Sequence, residues 1–400
     1  MSLFWLSLGP GGSGDEEWRR RGAGIRPRRR SKRGKIVKAS GRRRTWTDPR
    51  VLLGIAISLI AIWWTFRDAD FSAVGGELAH LRWRFLFGAF PLYFLSLLLR
   101  GYRWTYFIPR DNSSLRNRYN ACVIGFLATN LFPLRVGEIV RAFVFARRSG
   151  RRLIEILATI VTERIFDLIS LLILAIVSFP FIPLDRIAAE LGADSLFALG
   201  RGRLMGFAAA LAGGLLIAFI LFCLFGRSVL TFLLARLHWE GGRLARFLNT
   251  LLDGLETPVK ERTLFKVLLW SVGIWFLICL TYWVTLYSVP VPVHGSLAQI
   301  VGLSGAIFMQ VVICAGIALP SAPGFIGVWH AATRVAFIPF LDSAPDLESK
   351  ILAYAVVAHL YSYLLTIACG LEAFVNEGMR WSEMRDVSEG GDEGDGGERR

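Results

Sequence analysis

Three short stretches place charged and backbone-breaking residues inside long apolar runs. The first is "NLFPLRVGEIVR", residues 130–141, which holds Asn130, Pro133, Arg135, Gly137, Glu138 and Arg141. The second is "TERIFDLIS", in which Glu163, Arg164 and Asp167 stand at i, i+1 and i+4. On a helix that spacing puts the two carboxylates on one face, with Arg164 one turn from Asp167. The third is "LPSAPGFIGVWH", residues 319–330, with Pro320, Ser321, Pro323, Gly324, Gly327 and His330. A charge at the centre of a bilayer costs ~2.5–3.5 kcal/mol even on the lenient insertion scale, so these groups must face one another or a wet cavity. Arginines beside a backbone break can grip phosphate oxygens in a forked geometry, and the N-terminus of a half-helix attracts anions. Glu163, Arg164 and Asp167 either position those arginines or form a buried ion network that only holds the bundle together.

The elements that carry these residues are membrane helices. Of 400 residues, 54% are apolar, above the ~45–50% of an ordinary soluble protein, and the mean hydropathy is +0.48. Apolar windows at 51–66, 85–99, 154–183, 204–225, 264–289, 297–319 and 351–375 approach the ~20 residues needed to cross a bilayer. The basic tract before residue 51 sets the amino terminus inside, and the basic loop holding Arg100, Arg103, Arg110, Arg116 and Arg118 falls inside as well. If 119–145 crossed once, two later arginine-rich loops would lie outside. A re-entrant hairpin turning at Pro133–Gly137 removes the conflict, and 297–340 forms its counterpart, turning at Pro320–Gly327. The expected architecture is all-α: about six full spans plus two re-entrant, Pro/Gly-broken hairpins in an inverted repeat, with both termini cytoplasmic.

Three regions follow: a basic disordered cytoplasmic arm over 1–50, a transmembrane domain over 51–376 and an acidic disordered tail over 377–400. Within the domain, 227–258 carries leucines and Phe247 at helical spacing beside Arg243 and Arg246. It reads as a cytoplasmic interfacial helix or as a helix packed on the bundle. The net charge of +15 comes largely from the arm, which suits anionic lipid better than nucleic acid. The five cysteines stand singly in apolar runs, so neither a disulfide framework nor a metal site is expected, and no cofactor either. There is no P-loop, no H-E-x-x-H and no G-x-S-x-G, and a soluble catalytic domain, which needs ~100 residues, is not expected in the arm or the tail beside the membrane part.

"NLFPLRVGEIVRA", "TERIFDLISLL" and "LPSAPGFIGV", in this order, resemble the signature blocks of the lysylphosphatidylglycerol synthase transmembrane, or flippase-like, family, and "LLLRGYRWTYF" fits the Arg/Trp segment before them. The resemblance covers about residues 51–376. It implies an integral inner-membrane protein handling lipids with polar or phosphorylated heads. By motif it implies roles for Asn130, Pro133, Arg135, Gly137, Glu138, Arg141, Glu163, Arg164, Asp167, Pro320, Pro323, Gly324 and Gly327. His330 and His359 stand where such proteins usually have a glutamate and often an arginine, a departure that bears on headgroup preference. The leading expectation is a lipid translocase for an anionic phospholipid or a polyprenyl-phosphate-linked lipid. Its headgroup would meet Asn130, Arg135, Gly137, Glu138, Arg141, Glu163, Arg164, Asp167, Gln310, Ser321, Gly324, Gly327 and His330, with Pro133, Pro320 and Pro323 as structural breaks. The alternatives are an enzyme or subunit of glycolipid synthesis, with Glu138 or Asp167 as base, and a scaffold for a separately encoded synthase or glycosyltransferase.

Overall fold

A computed structural model describes residues 49–108, 112–133, 136–182, 201–236, 242–292, 294–343 and 346–388. The basic arm, Arg135 and the end of the acidic tail lie outside them. Among the described residues the regular elements are all helical: α1 (Pro49–Phe66), α2 (Phe71–Ala79), α3 (Trp83–Arg103), α4 (Leu115–Leu131), α5 (Gly137–Ser149), α6 (Leu153–Ser178), α7 (Arg201–Arg236), α8 (Arg243–Lys260), α9 (Leu264–Leu286), α10 (Leu297–Ile317), α11 (Val328–Phe337), α12 (Leu347–Asn376) and α13 (Trp381–Ser388). Five stretches, Trp83–Tyr106, Leu264–Leu286, Leu297–Ile317, Pro323–Leu341 and Leu347–Asn376, are long and apolar enough to cross a membrane. The number rises to seven if two bent helix pairs each count as a span, one of them α1 with α2 at 85°. At 26 residues α6 is also long enough, but Glu163, Arg164 and Asp167 disqualify it on composition.

Both hairpins form. Helix α5 has 13 residues, about 20 Å of rise against a hydrocarbon core of ~30 Å, so it cannot cross alone. Its arm folds back along α4 at glycine distance: a Cβ on Gly137 would lie 2.1 Å from both the Gly125 carbonyl oxygen and the Thr129 hydroxyl. A Cβ on Gly125 would meet the Arg141 Cβ at 2.6 Å. The pairs 129/137 and 125/141 run in opposite directions, so the arms are antiparallel. Helix α11 has ten residues, about 15 Å of rise, and returns along α10, where Gly316 faces Ala332. The second break runs through Gly324 (φ +69°), Phe325 (φ +60°) and Gly327 (φ +88°), positive values that the two glycines adopt without steric cost and that Phe325 adopts only at a cost.

Each half of the bundle reads span, hairpin, span: α3, α4–α5, α6, and then α9, α10–α11, α12. Exchanging the halves carries the main helix pairings into one another, since α4 packs on α12 and α10 packs on α6. The central pair α3 and α9 is antiparallel. Phe85 stacks on Tyr287 (5.4 Å), while at the other end Tyr102 meets Trp270 (5.1 Å) and Arg103 reaches Ser271 (2.7 Å). Two halves of the same order running in opposite directions are the inverted arrangement that the paired breaks imply.

Three sequence readings are corrected. Arg100 and Arg103 do not belong to a loop; both lie in α3, buried against the bundle. Residues 227–258 are not one element. They divide between the end of α7 and α8, and α8 packs on α6 with Gly254 against Ala158 and with Leu252, Leu255 and Glu256 buried. Residues 377–388, read as disordered tail, include α13, and Glu377 and Glu383 tie this end to Arg148 and Arg147 of α5.

Gly137→Ala is expected to destabilise the protein by ~1–3 kcal/mol or more through overpacking. Gly76→Ala on α2, where a Cβ meets open space, is expected to be neutral or stabilising through helix propensity. Thermal unfolding of the two variants in detergent checks this; equal melting temperatures would refute the close hairpin contact.

Candidate functional site

The site is built on the middle of α6. Glu163 is fully buried, and its two oxygens accept from different helices: Arg103 Nη2 of α3 at 2.7 Å and Arg141 Nη2 of α5 at 2.7 Å. One turn on, Asp167 Oδ1 accepts from Arg103 Nη1 (2.7 Å) and from the Trp275 indole of α9 (3.0 Å). Its Oδ2 accepts from Arg164 Nη1 at 3.1 Å. Arg164 also pairs with Glu138 at the start of α5 (2.9 Å), and Arg103 donates to the Ser271 hydroxyl of α9. One network therefore joins α3, α5, α6 and α9. Arg141 lies 4.1 Å over the Trp104 ring, whose indole donates to Thr159. In a low-dielectric interior such charges stay ionised only if each is paired and hydrogen-bonded, and that is the arrangement for Glu163 and Asp167.

Among the described residues the cations are in excess. Four guanidinium groups (Arg100, Arg103, Arg141, Arg164) stand against three carboxylates (Glu138, Glu163, Asp167). Arg100 carries the surplus. It is 7% exposed and has no hydrogen bond and no carboxylate within 4.0 Å among the described residues. Its guanidinium lies between two aromatic rings, Trp275 at 5.1 Å and Phe126 at 5.5 Å. Arg141 is also only partly used, for its Nε and Nη1 are buried without hydrogen-bond partners.

Both arginines line cavities. A cavity of about 400 Å³ is bounded by Arg100, Gly125, Thr129, Gly137, Glu138, Arg141, Arg164, Asp167 and Trp275. A second, of about 200 Å³, is bounded by Tyr93, Ser96, Arg100, Thr129, Asn130, Gln310, Gly324, His359, Ser362, Tyr363 and Thr366. The two share Arg100, Phe126, Thr129, Trp275 and Phe325 as walls. A third space of about 230 Å³ separates the breaks themselves and is bounded by Thr129, Pro133, Pro320, Ser321, Ala322 and Pro323. The breaks meet here: a Cβ on Gly324 would lie 3.5 Å from the Asn130 carbonyl oxygen.

The residues singled out from sequence fall into separate places. Gly137, Glu138, Arg141, Arg164 and Asp167 line the larger cavity, and Asn130, Gln310 and Gly324 line the smaller. Ser321, Pro133, Pro320 and Pro323 bound the space between the breaks. Glu163 stands behind Arg103 and Arg141 and bounds none of these cavities. Gly327 and His330 bound none of them either. Gly327 is pressed against the Ser58 carbonyl of α1, and His330 Nδ1 accepts from the Gly327 N–H at 3.4 Å. His359 Nε2 donates to the Gly324 carbonyl at 2.9 Å, and the two imidazoles meet edge to face at 4.8 Å. Both histidines brace the second break.

Sequence reasoning missed Arg100, Arg103, Ser271 and Trp275 as site residues. A usable signal was present for the arginines. They stand three apart and continue the apolar run of α3, with Trp104 directly after, so they fall on one helix face rather than in a loop.

The fold and the site together define a helical membrane protein with two opposed hairpins around a positively charged cavity. The sequence matches the lysylphosphatidylglycerol synthase TM region family over residues 51–370, and the chain belongs to that family. No curated protein and no solved structure matches it.

Glu163→Gln leaves Arg103 and Arg141 without their shared anion, and the expected loss of stability is ~3–5 kcal/mol. Glu138→Gln removes half of a pair with side chains 45% and 38% exposed and is expected to cost ~1 kcal/mol or less. Melting temperatures in detergent compare them; a Glu163→Gln protein as stable as the parent would show that the network does not hold the helices together.

Proposed function

We propose that this chain is a lipid translocase, moving the headgroup of an anionic phospholipid or a polyprenyl-phosphate-linked lipid across the inner membrane with both termini cytoplasmic. The observation that carries the reading is Arg100, a buried cation without a counter-ion, set in the wall shared by two cavities where the broken hairpins meet. A buried charge left unpaired is strongly destabilising, so its retention points to a counter-ion that comes and goes. The phosphate of a lipid headgroup supplies one, and Arg141, which lines the larger cavity, has two nitrogens, Nε and Nη1, without partners.

Several features give the site a route to alternate exposure. The halves are inverted, and a site at their junction is reached from either face when α10–α12 rock against the body that the ion network makes of α3, α5, α6 and α9. The hairpins touch across small contacts, Gly324 on Asn130 and Pro133 beside Pro320 and Pro323, rather than through interlocked large side chains. The ion network spans α3, α5, α6 and α9, so these four helices move as one body, while His330 and His359 keep the second break in shape. In this scheme Glu163 and Asp167 fix the guanidinium groups, and Arg100 and Arg141 take the phosphate.

The test is transport by the full chain reconstituted in vesicles with fluorescent phosphatidylglycerol, read by reductant bleaching of label exposed at the outer leaflet. Headgroup movement is expected to exceed that of empty vesicles and to fall at least tenfold in Arg100→Gln, since a hydrogen bond to a charged group is worth ~1.5–3 kcal/mol. Movement no faster than in empty vesicles, for both phosphatidylglycerol and polyprenyl-phosphate lipids, counts against the proposal.

A further inference from the structure

We infer that residues 377–388 form a releasable clasp, which ties the open end of the first hairpin to the end of α12 and keeps the bundle closed there. The clasp follows residue 370, where the family match ends. It stands apart from the translocase reading; only its effect on transport rests on that reading.

Glu377 is the inner catch. It stands one residue past α12, and its side chain is 5% exposed. Oε1 accepts from Asn120 Nδ2 of α4 at 2.7 Å, and Oε2 accepts from Arg148 Nε of α5 at 2.5 Å. Asn120 and Arg148 lie farther along the antiparallel register that sets Gly125 against Arg141. One carboxylate therefore spans both arms at the end opposite the break.

Helix α13 is the outer catch, and the weaker one. Gly378 closes α12 at φ +61°, a value that glycine adopts without steric cost, and its N–H donates to the Val375 carbonyl. Beyond it α13 lies on α5, with Met384 buried and Trp381 against Phe374 of α12 at 4.6 Å. Glu383 meets Arg147 at 3.2 Å, but the two side chains are 35% and 52% exposed. Such a surface pair is worth little, so α13 lifts away before Glu377 lets go.

The clasp crosses the boundary at which the rocking proposed above takes place. Arg141 binds α5 to the ion network, while α12 belongs to the group that rocks. Between them the α4–α12 face is smooth: a Cβ on Gly370 would lie 2.6 Å from the Leu127 Cβ. Helices in such contact can slide, whereas a hydrogen bond to a carboxylate holds one position. The clasp must part before this end can open. Arg141 keeps Glu163 when it does, so release frees the helix ends without dismantling the site.

Hydrogen exchange of the full chain, read by mass spectrometry, tests the clasp. In Glu377→Gln, amides in the last two turns of α5 and the last turn of α12 are expected to exchange roughly tenfold or more faster. Those of α6 and of residues 322–328 should keep the parent rate. In Glu383→Gln only α13 should speed up. Arg148→Gln should match Glu377→Gln, and the double variant should exchange no faster than either, since both changes remove one bond. Parent rates in Glu377→Gln, or acceleration spread over the whole bundle, overturn the inference. Vesicles test the consequence: Glu377→Gln is expected to move fluorescent phosphatidylglycerol several times faster than the parent. An unchanged or lower rate overturns the claim that the clasp keeps this end closed. No movement by either protein, with exchange as expected, overturns the translocase reading and leaves the clasp standing.

Discussion

The carboxylate of Glu163 organises this protein. It is fully buried near the middle of α6, and a lone carboxylate there would be prohibitively costly. Its two oxygens draw one guanidinium from a membrane span and one from a re-entrant arm, Arg103 and Arg141, so satisfying the charge also fixes where α3 and α5 sit against α6. Asp167 repeats the device one turn later and adds α9 through Trp275, while Ser271 takes the remaining reach of Arg103. The hairpin is held by charge at its α5 arm and by glycine contact between the arms, where Gly125 of α4 and Gly137 of α5 leave no space for side chains.

The two halves share an arrangement but not a chemistry. Around α6 the first half is ionic. In the corresponding place of the second half, Thr285 and Tyr282 of α9 meet Tyr354 of α12 through neutral hydrogen bonds. The second break is braced by two imidazoles rather than by a carboxylate–guanidinium pair. A cavity between an ionic half and a neutral half has its charge on one wall. Arg100 stands in the wall that the ionic cavity, with Glu138 and Asp167, shares with the smaller cavity, whose described lining holds no acidic residue. An inverted framework supplies access from both faces, and the unequal halves supply the preference for one sign of charge.

Other ion pairs work at the periphery and explain why the bundle does not depend on the central network alone. Arg334 of α11 donates to the last-turn carbonyls of Trp64 and Thr65 in α1 and pairs with Glu348 of α12, which ties the second hairpin to the first helix. Lys350 of α12 meets Glu77 of α2, and Arg227 and Lys260 share Glu256 where α7 and α8 join. The Arg334–Glu348 pair is partly exposed and stabilises modestly, whereas Lys350 and Glu256 are buried at the helix contacts they join.

The sequence by itself determined the membrane class, from its apolar windows, and the two hairpins, from Pro133 with Gly137 and Pro320 with Gly327. Backbone chemistry is local: a proline ring removes a donor and a glycine lacks a Cβ, and it is the two clustered with polar residues that mark the breaks, since Pro91 stands inside α3 and Gly125 inside α4 without ending either. It also determined that Glu163 and Asp167 must be matched by cations, since helical spacing puts them on one buried face. Which arginines would answer them was decided only by the tertiary structure. Arg164, their neighbour in sequence, gives Asp167 a single bond, whereas Arg103, 60 residues from Glu163, serves both carboxylates. Arg100 and Arg103 looked like loop residues because positive charge beside a span usually marks its end. Their burial follows from packing against α6 and α9, which no local window contains. The surplus charge of the site is likewise a sum over four helices, and only folding brings its members together.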